Sequence, residues 1–225
     1  MEEVLDVYMV PRDPACPLVC MDEASKQLVG ETRLPLPVRP GDPAHYDYEY
    51  VRKGVANLFL FFAPLEGWRH VTVTERRTRV DWAYAMRDLV DVYFPTAPTI
   101  RVVLDNLNTH IAGSLYEAFA PQEARRILSR LELHHTPKHG SWLNMAAIEL
   151  SVLSRQCLDR RIPDTPTLAH EVAAWETPRN SAQATMEWRF TTADARIKLK
   201  HLYPVVHVPE EAHVAQPADP FCPAA

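Results

Sequence analysis

Two short apolar runs, PLVCMD at 17–22 and IRVVLD at 100–105, each close on an aspartate, and no other feature limits the fold as tightly. Such a run, bounded by polar residues, reads as a strand buried on both faces in a sheet covered by helices. In sheets of that kind, reacting groups collect at the carboxyl ends of the strands. Asp22 and Asp105 are therefore the first candidate site residues. An aspartate closing a strand is also a common turn or cap residue, so the pattern alone leaves both readings open.

The remaining periodicities fill in the architecture. VANLFLFF at 55–62 is a second buried strand, and Trp68 to Thr74 alternates inward and outward residues after a turn at 64–67, which predicts a hairpin. A further strand covers 131–135. Trp82, Met86, Leu89, Val90 and Tyr93 recur at helical spacing until Pro95, and a helix from about Ser114 to Arg130 is interrupted near Pro121. Residues 143–158 carry the stripe Ala146, Leu150, Leu153 and Cys157. Thr165 with Pro166 opens a helix that buries Leu168, Val172 and Trp175. Thr191 and Asp194, at capping-box spacing, open a last helix that buries Ala195, Leu199 and Leu202. The polar, proline-rich stretch 23–50 is expected to leave the core as a long excursion. This order predicts an α/β fold, a mixed central sheet of about five strands flanked by helices. One domain is expected over 1–203, with 204–225 as a disordered Pro-rich tail.

Composition excludes several functions. No apolar run approaches the eighteen or so residues that span a bilayer, and the opening MEEVLDVYMV carries acids where a leader carries Lys or Arg, so a cytoplasmic chain without membrane contact is expected. Cys16 and Cys20, four apart in an extended run, lie roughly 13 Å from each other, too far for a disulfide or a shared zinc. Cys157 and Cys222 read as idle thiols. Six glycines and no GxxxxGK motif argue against nucleotide binding. The formal charge of −5 means that any DNA contact is local, through groups such as Arg125, Arg126 and Arg130, Lys138 and His139, Arg155, Arg160 and Arg161, or Arg196, Lys198 and Lys200. Each of these also reads as a solvated helix face.

Phosphoryl transfer with two metal ions needs acidic oxygens converging within about 4 Å, which aspartates ending neighbouring strands can provide. Asn106, Asn108 and His110 follow the second aspartate, where they either orient water, ligands or phosphate or simply cap a turn. His134 and His135 are adjacent in a strand and face opposite sides. Glu23 likewise points away from Asp22 and reads as a supporting acid.

CMDE at 20–23, LDNLNTH at 104–110 and TPKHGSWLNMA at 136–146 resemble the bacterial insertion-sequence transposases of the six-thirty family, relatives of mariner elements in the DDE/D superfamily. SKQL, YDYEY, ANLF, GWRHV, DLVDVY, LSRQCLDRRIPD and WRFTTADARIKLK extend the likeness from about Val4 to Pro204. The resemblance implies a ribonuclease H-like fold whose three acids bind Mg²⁺ or Mn²⁺, cut element ends and join them to target DNA. Asp22 and Asp105 match the first two acids. The third is a Glu three residues after the Asn of SWLN, and here that position is Ala147. Glu149 cannot replace it, because two helical steps turn its side chain roughly 160° away.

Lys138, His139, Ser141 and Trp142, with Asn144, lie ahead of the third-acid helix, where a basic side chain and an aromatic can meet a DNA end, although Trp142 also reads as a core anchor. The resemblance further implies action as a homodimer on DNA, with a helix-turn-helix part supplied by another segment or chain. Two functions are thus expected: a transposase catalytic domain impaired at its third acid, or a non-enzymatic module that keeps the fold to bind DNA or an intact transposase.

Overall fold

A computed structural model describes residues 1–33, 36, 39–41 and 47–204. The 204–225 tail therefore lies outside the described residues from 205 onward. Helix α1 (Glu2–Met9) leads into strand β1 (Leu18–Glu31), and β2 (Tyr50–Ala63) and β3 (Trp68–Thr74) return as an antiparallel meander. Helix α2 (Arg79–Asp88) runs into a π-helical turn at Leu89–Tyr93, and β4 (Ile100–Leu104), α3 (Ala112–Ala118), α4 (Pro121–Leu128) and β5 (Leu131–His135) follow. The chain ends with α5 (Met145–Leu153) and its own π turn Ser154–Leu158, then α6 (Thr165–Ser181) and α7 (Thr192–Lys198).

The five strands form one mixed sheet in the order β3-β2-β1-β4-β5, as the sequence pattern predicts. β4 and β5 run parallel to β1, while β2 and β3 run antiparallel within the meander. Alternation along the central strands divides the core in two. Leu18, Cys20, Leu58, Leu60, Phe62 and Val103 face α1, α5 and α6. Val19, Met21, Phe59, Phe61, Val102 and Leu104 face α2, α3 and α4.

Several expectations are corrected. β1 does not stop at Asp22: its polar second half, 23–31, stays in the ladder with β2, from Glu23↔Phe59 to Glu31↔Tyr50. Main-chain pairing, not burial, extends it, which is why no apolar signal marks the extension. The interruption expected near Pro121 is present and separates α3 from α4, with Pro121 in the first turn of α4, where its missing N–H costs nothing. α1 has no counterpart in the sequence reading, although Val4, Leu5, Val7 and Tyr8 are buried. In the last helix Ala195 is buried, but Leu202 is 57% exposed.

β3 is an edge strand, and α6 closes that edge. Glu176 Oε2 accepts from Val71 N at 2.9 Å and Asn180 Oδ1 accepts from Arg69 N at 2.9 Å, one helical turn apart. Arg69 points inward from β3 and is fully buried, its Nε 2.8 Å from Oε1 of Glu149, which is 1% exposed. Arg179 on α6 donates to both oxygens of the same carboxylate, at 3.0 and 3.2 Å. One buried anion thus ties α5 to β3 and α6. Replacing Glu149 with Ala strands the buried Arg69 charge and should cost about 3–5 kcal/mol, the scale for breaking a buried pair on one side. A urea titration should show the midpoint falling with an unchanged m-value; a midpoint within error of the parent would show that the pair does not hold α5.

Candidate active site

The β1–β4 pairing sets the geometry. Leu18, Val19 and Cys20 stand opposite Arg101, Val102 and Val103, so the same register brings Asp22 level with Asp105. Partners in a parallel pair share a face, and both aspartates lie on the face that carries Cys20 and Val103. The strands part there: Leu104 O accepts from Thr136 N at 2.9 Å, while β1 continues with β2 alone. Asp22 therefore lies inside a strand rather than at its end, and what ends beside it is the neighbour.

The two carboxyls feel each other. Asp22 is pushed up to about 6, first by burial and then by the charges of Asp105 and Glu23, against the pull of the Glu23 N–H that Oδ1 accepts at 2.8 Å. Asp105 Oδ1 is buried, and no aligned donor reaches it. His110 Nδ1 sits 2.5 Å from that oxygen and 3.4 Å from the Asp105 carbonyl. The Oδ1 contact is a charge contact rather than a directed hydrogen bond. On its other side the ring meets Glu23 Oε1 at 2.9 Å, and its plane stacks on Trp82 at 5.8 Å between centroids. Burial works against a charge on His110, and the Asp105 and Glu23 contacts overcome it, holding the imidazolium up to about 9.

This corrects two expected DNA contacts. His110 is fully buried, and its loop is fastened by His135 Nε2 on the His110 carbonyl at 2.8 Å and Ser114 Oγ on Thr109 O at 2.8 Å. Asn144 is also fully buried: Oδ1 accepts from Ala146 N at 3.1 Å as the cap of α5, and Nδ2 donates to Met21 O at 2.8 Å. It fastens the first turn of α5 to β1 beside Asp22. The other candidates, Asn106, Asn108, Lys138, His139, Ser141 and Trp142, are exposed. A cavity of about 290 Å³ is lined by Asp105, Asn106, Thr136, Lys138, His139 and Ser141. Its rim is a tight turn in which His139 takes φ 63° and a Cβ on Gly140 would lie 2.6 Å from Pro137 Cγ. A non-glycine residue held in that region is strained, and such strain concentrates where a side chain must be presented. Trp142 is 45% exposed, edge-on to Phe190.

Ala147 occupies the first turn of α5, half-buried, and offers only a methyl. Glu149 is committed to Arg69 and Arg179. Among the described residues no three His, Cys, Asp or Glu side chains gather as a metal site. Two mutually repelling carboxylates, one with an oxygen that lacks a donor, fit a divalent cation by charge and ligand type but leave it short of a third acid. Arg69, Arg179 and the Glu23–His110 contact were not expected. They are made between distant segments, and only the five-residue step from Asp105 to His110 hinted at any of them.

A family model described as DDE superfamily endonuclease matches residues 17–169. No curated protein matches the chain. Among solved structures, the Mos1 mariner paired end complex with Mn is similar at TM-score 0.57 and 15% identity over 81% of this chain and 54% of that one. The Mos1 strand transfer complex gives 0.54 and 14% over 81% and 53%, and the paired end complex with Mg gives 0.54 and 16% over 86% and 59%. The chain thus spans about half the length of these structures, and the likeness is one of fold, the ribonuclease H-like sheet.

The raised acid and base give two pH windows in metal-free buffer. His110, raised from 6.5 to about 9, contributes stability that is whole below pH 6.5 and lost as pH rises through about 9. Asp22, raised from 3.8 to about 6, has its window lower, whole below 3.8 and lost through about 6. Melting temperature should fall across both windows in EDTA, and His110→Gln should remove the upper fall while sparing the lower. Identical upper slopes in parent and variant would refute the buried imidazolium.

Proposed function

The chain belongs to the DDE superfamily endonucleases, and on that premise we propose that it is the catalytic domain of an insertion-sequence transposase, impaired by the loss of its third acid. The observation that carries this is the level placement of Asp22 and Asp105 on one face where β1 and β4 separate, with the charge of one raising the other. Asp22 and Asp105 would hold Mg²⁺ or Mn²⁺. When bound, such an ion supplies Lewis acidity at a phosphodiester.

The chain's own residues do the rest. His110, held on its far side by Glu23, braces Asp105 from behind, so its carboxyl keeps one orientation. Asn144 fixes the start of α5 against β1. Asn106, Asn108, Lys138, His139, Ser141 and Trp142 surround the open side and meet DNA there, Lys138 by charge and Trp142 by stacking. At a net charge of −5 the grip is local rather than spread over the surface. Ala147 gives no oxygen, so strand cleavage and joining run far below those of a three-acid site.

The domain spans 1–203. Element ends and target DNA are its substrates, a homodimer on DNA is the working unit, and a helix-turn-helix part recognises the ends. No helix among the described residues is long and apolar enough to cross a membrane, and we place the chain with DNA in the cytoplasm. Ala147 also favours a second reading, a non-enzymatic module that binds DNA or an intact transposase.

Ala147→Glu separates the two. With a DNA-recognition part supplied, the variant should nick a labelled element end in Mn²⁺ on the order of 100-fold or more faster than the parent, the scale of one preorganised group. Adding Asp105→Ala should abolish the gain. An Ala147→Glu protein that binds the DNA and never nicks it would leave the module reading standing.

A further inference from the structure

Beyond Asp22 along β1 lies a groove that neither the sequence motifs nor the family match assigns. α5 and its π turn lie along β1 and point the same way, because both ends are tied to that strand. Asn144 Nδ2 reaches Met21 O at 2.8 Å, and Leu158 O accepts from Lys26 Nζ at 2.5 Å. On the strand, Asp22, Ala24 and Lys26 share a face by the two-residue period. On the helix, Ala147, Ser151, Ser154 and Leu158 share a face at four- and seven-residue spacing. Both repeats lead away from the acids to one cavity of about 370 Å³, floored by Ala24 and Leu58 and walled by Lys26, Ser154, Arg155 and Asp159. The two routes agree in length: four strand residues cover about 13 Å, and eight helical residues from 147 to 155 cover about 12 Å.

Its chemistry suits a phosphate. Arg160 and Arg161, read from the sequence as part of the same basic group, are spent on Glu171 and Glu31. No ion pair among the described residues engages Arg155, which is exposed on the wall of the groove. Lys26 is half-buried, and its ammonium also donates to Arg160 O at 3.1 Å, so it adds fixed positive charge to the floor. Ser154 brings a hydroxyl. Asp159 offsets part of the charge, which suits one phosphodiester rather than a dense polyanion. The π turn widens the helix where Arg155 leaves it, a distortion common at functional sites.

We infer that this groove is a backbone subsite for the DNA strand running away from the acid pair, in which Arg155 pairs with a phosphate and Lys26 and Ser154 support it. At about 3.4 Å of axial rise per nucleotide, its distance from the acids places that phosphate three to four nucleotides from the position they address. The inference rests on the proposed function, since it needs a strand at Asp22 and Asp105.

The test is the salt dependence of DNA binding, which needs no cleavage. A fluorescein-labelled mixed-sequence single strand is titrated with the parent, Arg155→Gln, Ser154→Trp and Arg189→Gln over a potassium chloride series, read by anisotropy. Loss of one phosphate contact should flatten the slope of log affinity against log salt by about 0.7 in Arg155→Gln. Ser154→Trp, which fills the groove without changing charge, should weaken binding and flatten the slope likewise. Arg189, 86% exposed and outside the groove, should leave the slope unchanged. A parent slope retained in Arg155→Gln, or an equal loss in Arg189→Gln, overturns the subsite while the proposed function stands. A parent that binds no DNA overturns both.

Discussion

Three rungs of parallel pairing between β1 and β4, ending at Cys20 and Val103, decide most of what the molecule can do. While they last, the strands are apolar and buried but for Arg101 at the first rung. Once they end, β1 has only β2 beside it and β4 turns into the loop that carries His110. Two main chains that separate inside a covered sheet leave a dry notch, and the next residues on its open face are both aspartates. Ionising Asp22 is expensive because it is largely buried and faces the charge of Asp105. A site that holds anions together at a cost is one that a cation relieves.

The opposite wall of the notch is α5, and electrostatics fix it as firmly as packing does. Glu149 accepts from Arg179 and pairs by charge with Arg69 on a separate element, so the helix cannot rotate without breaking a buried network. That lock explains why a carboxylate only two residues from position 147 gives the site nothing. The frame around position 147 is complete as well: the Asn144 cap, the Met21 contact and the Arg pair are all in place.

The strands and the fold class were legible because apolar runs of five to eight residues have few other uses, and proline and capping boxes marked the helix starts. The second half of β1 was not, since EASKQLVGE is polar and its pairing belongs to the ladder. Strand-end position made the aspartates candidates but left the turn or cap reading open beside the functional one. The burial of His110 and Asn144 was not legible, because a polar residue in a loop has no periodicity, and its fate depends on partners far along the chain. Arg69 is the sharpest case. It alternates correctly in β3, yet its inward side reads as a violation until Glu149 is seen beneath it.

The closed margin of β3 bears on how copies of this chain can meet. Glu176 and Asn180 occupy the amides of Val71 and Arg69 that an incoming strand would need. Growth of the sheet by strand addition is therefore barred at that margin. β5 bounds the other margin of the sheet, so a second copy that met the β3 side would do so through helix surfaces and loops, where side-chain complementarity sets the stoichiometry.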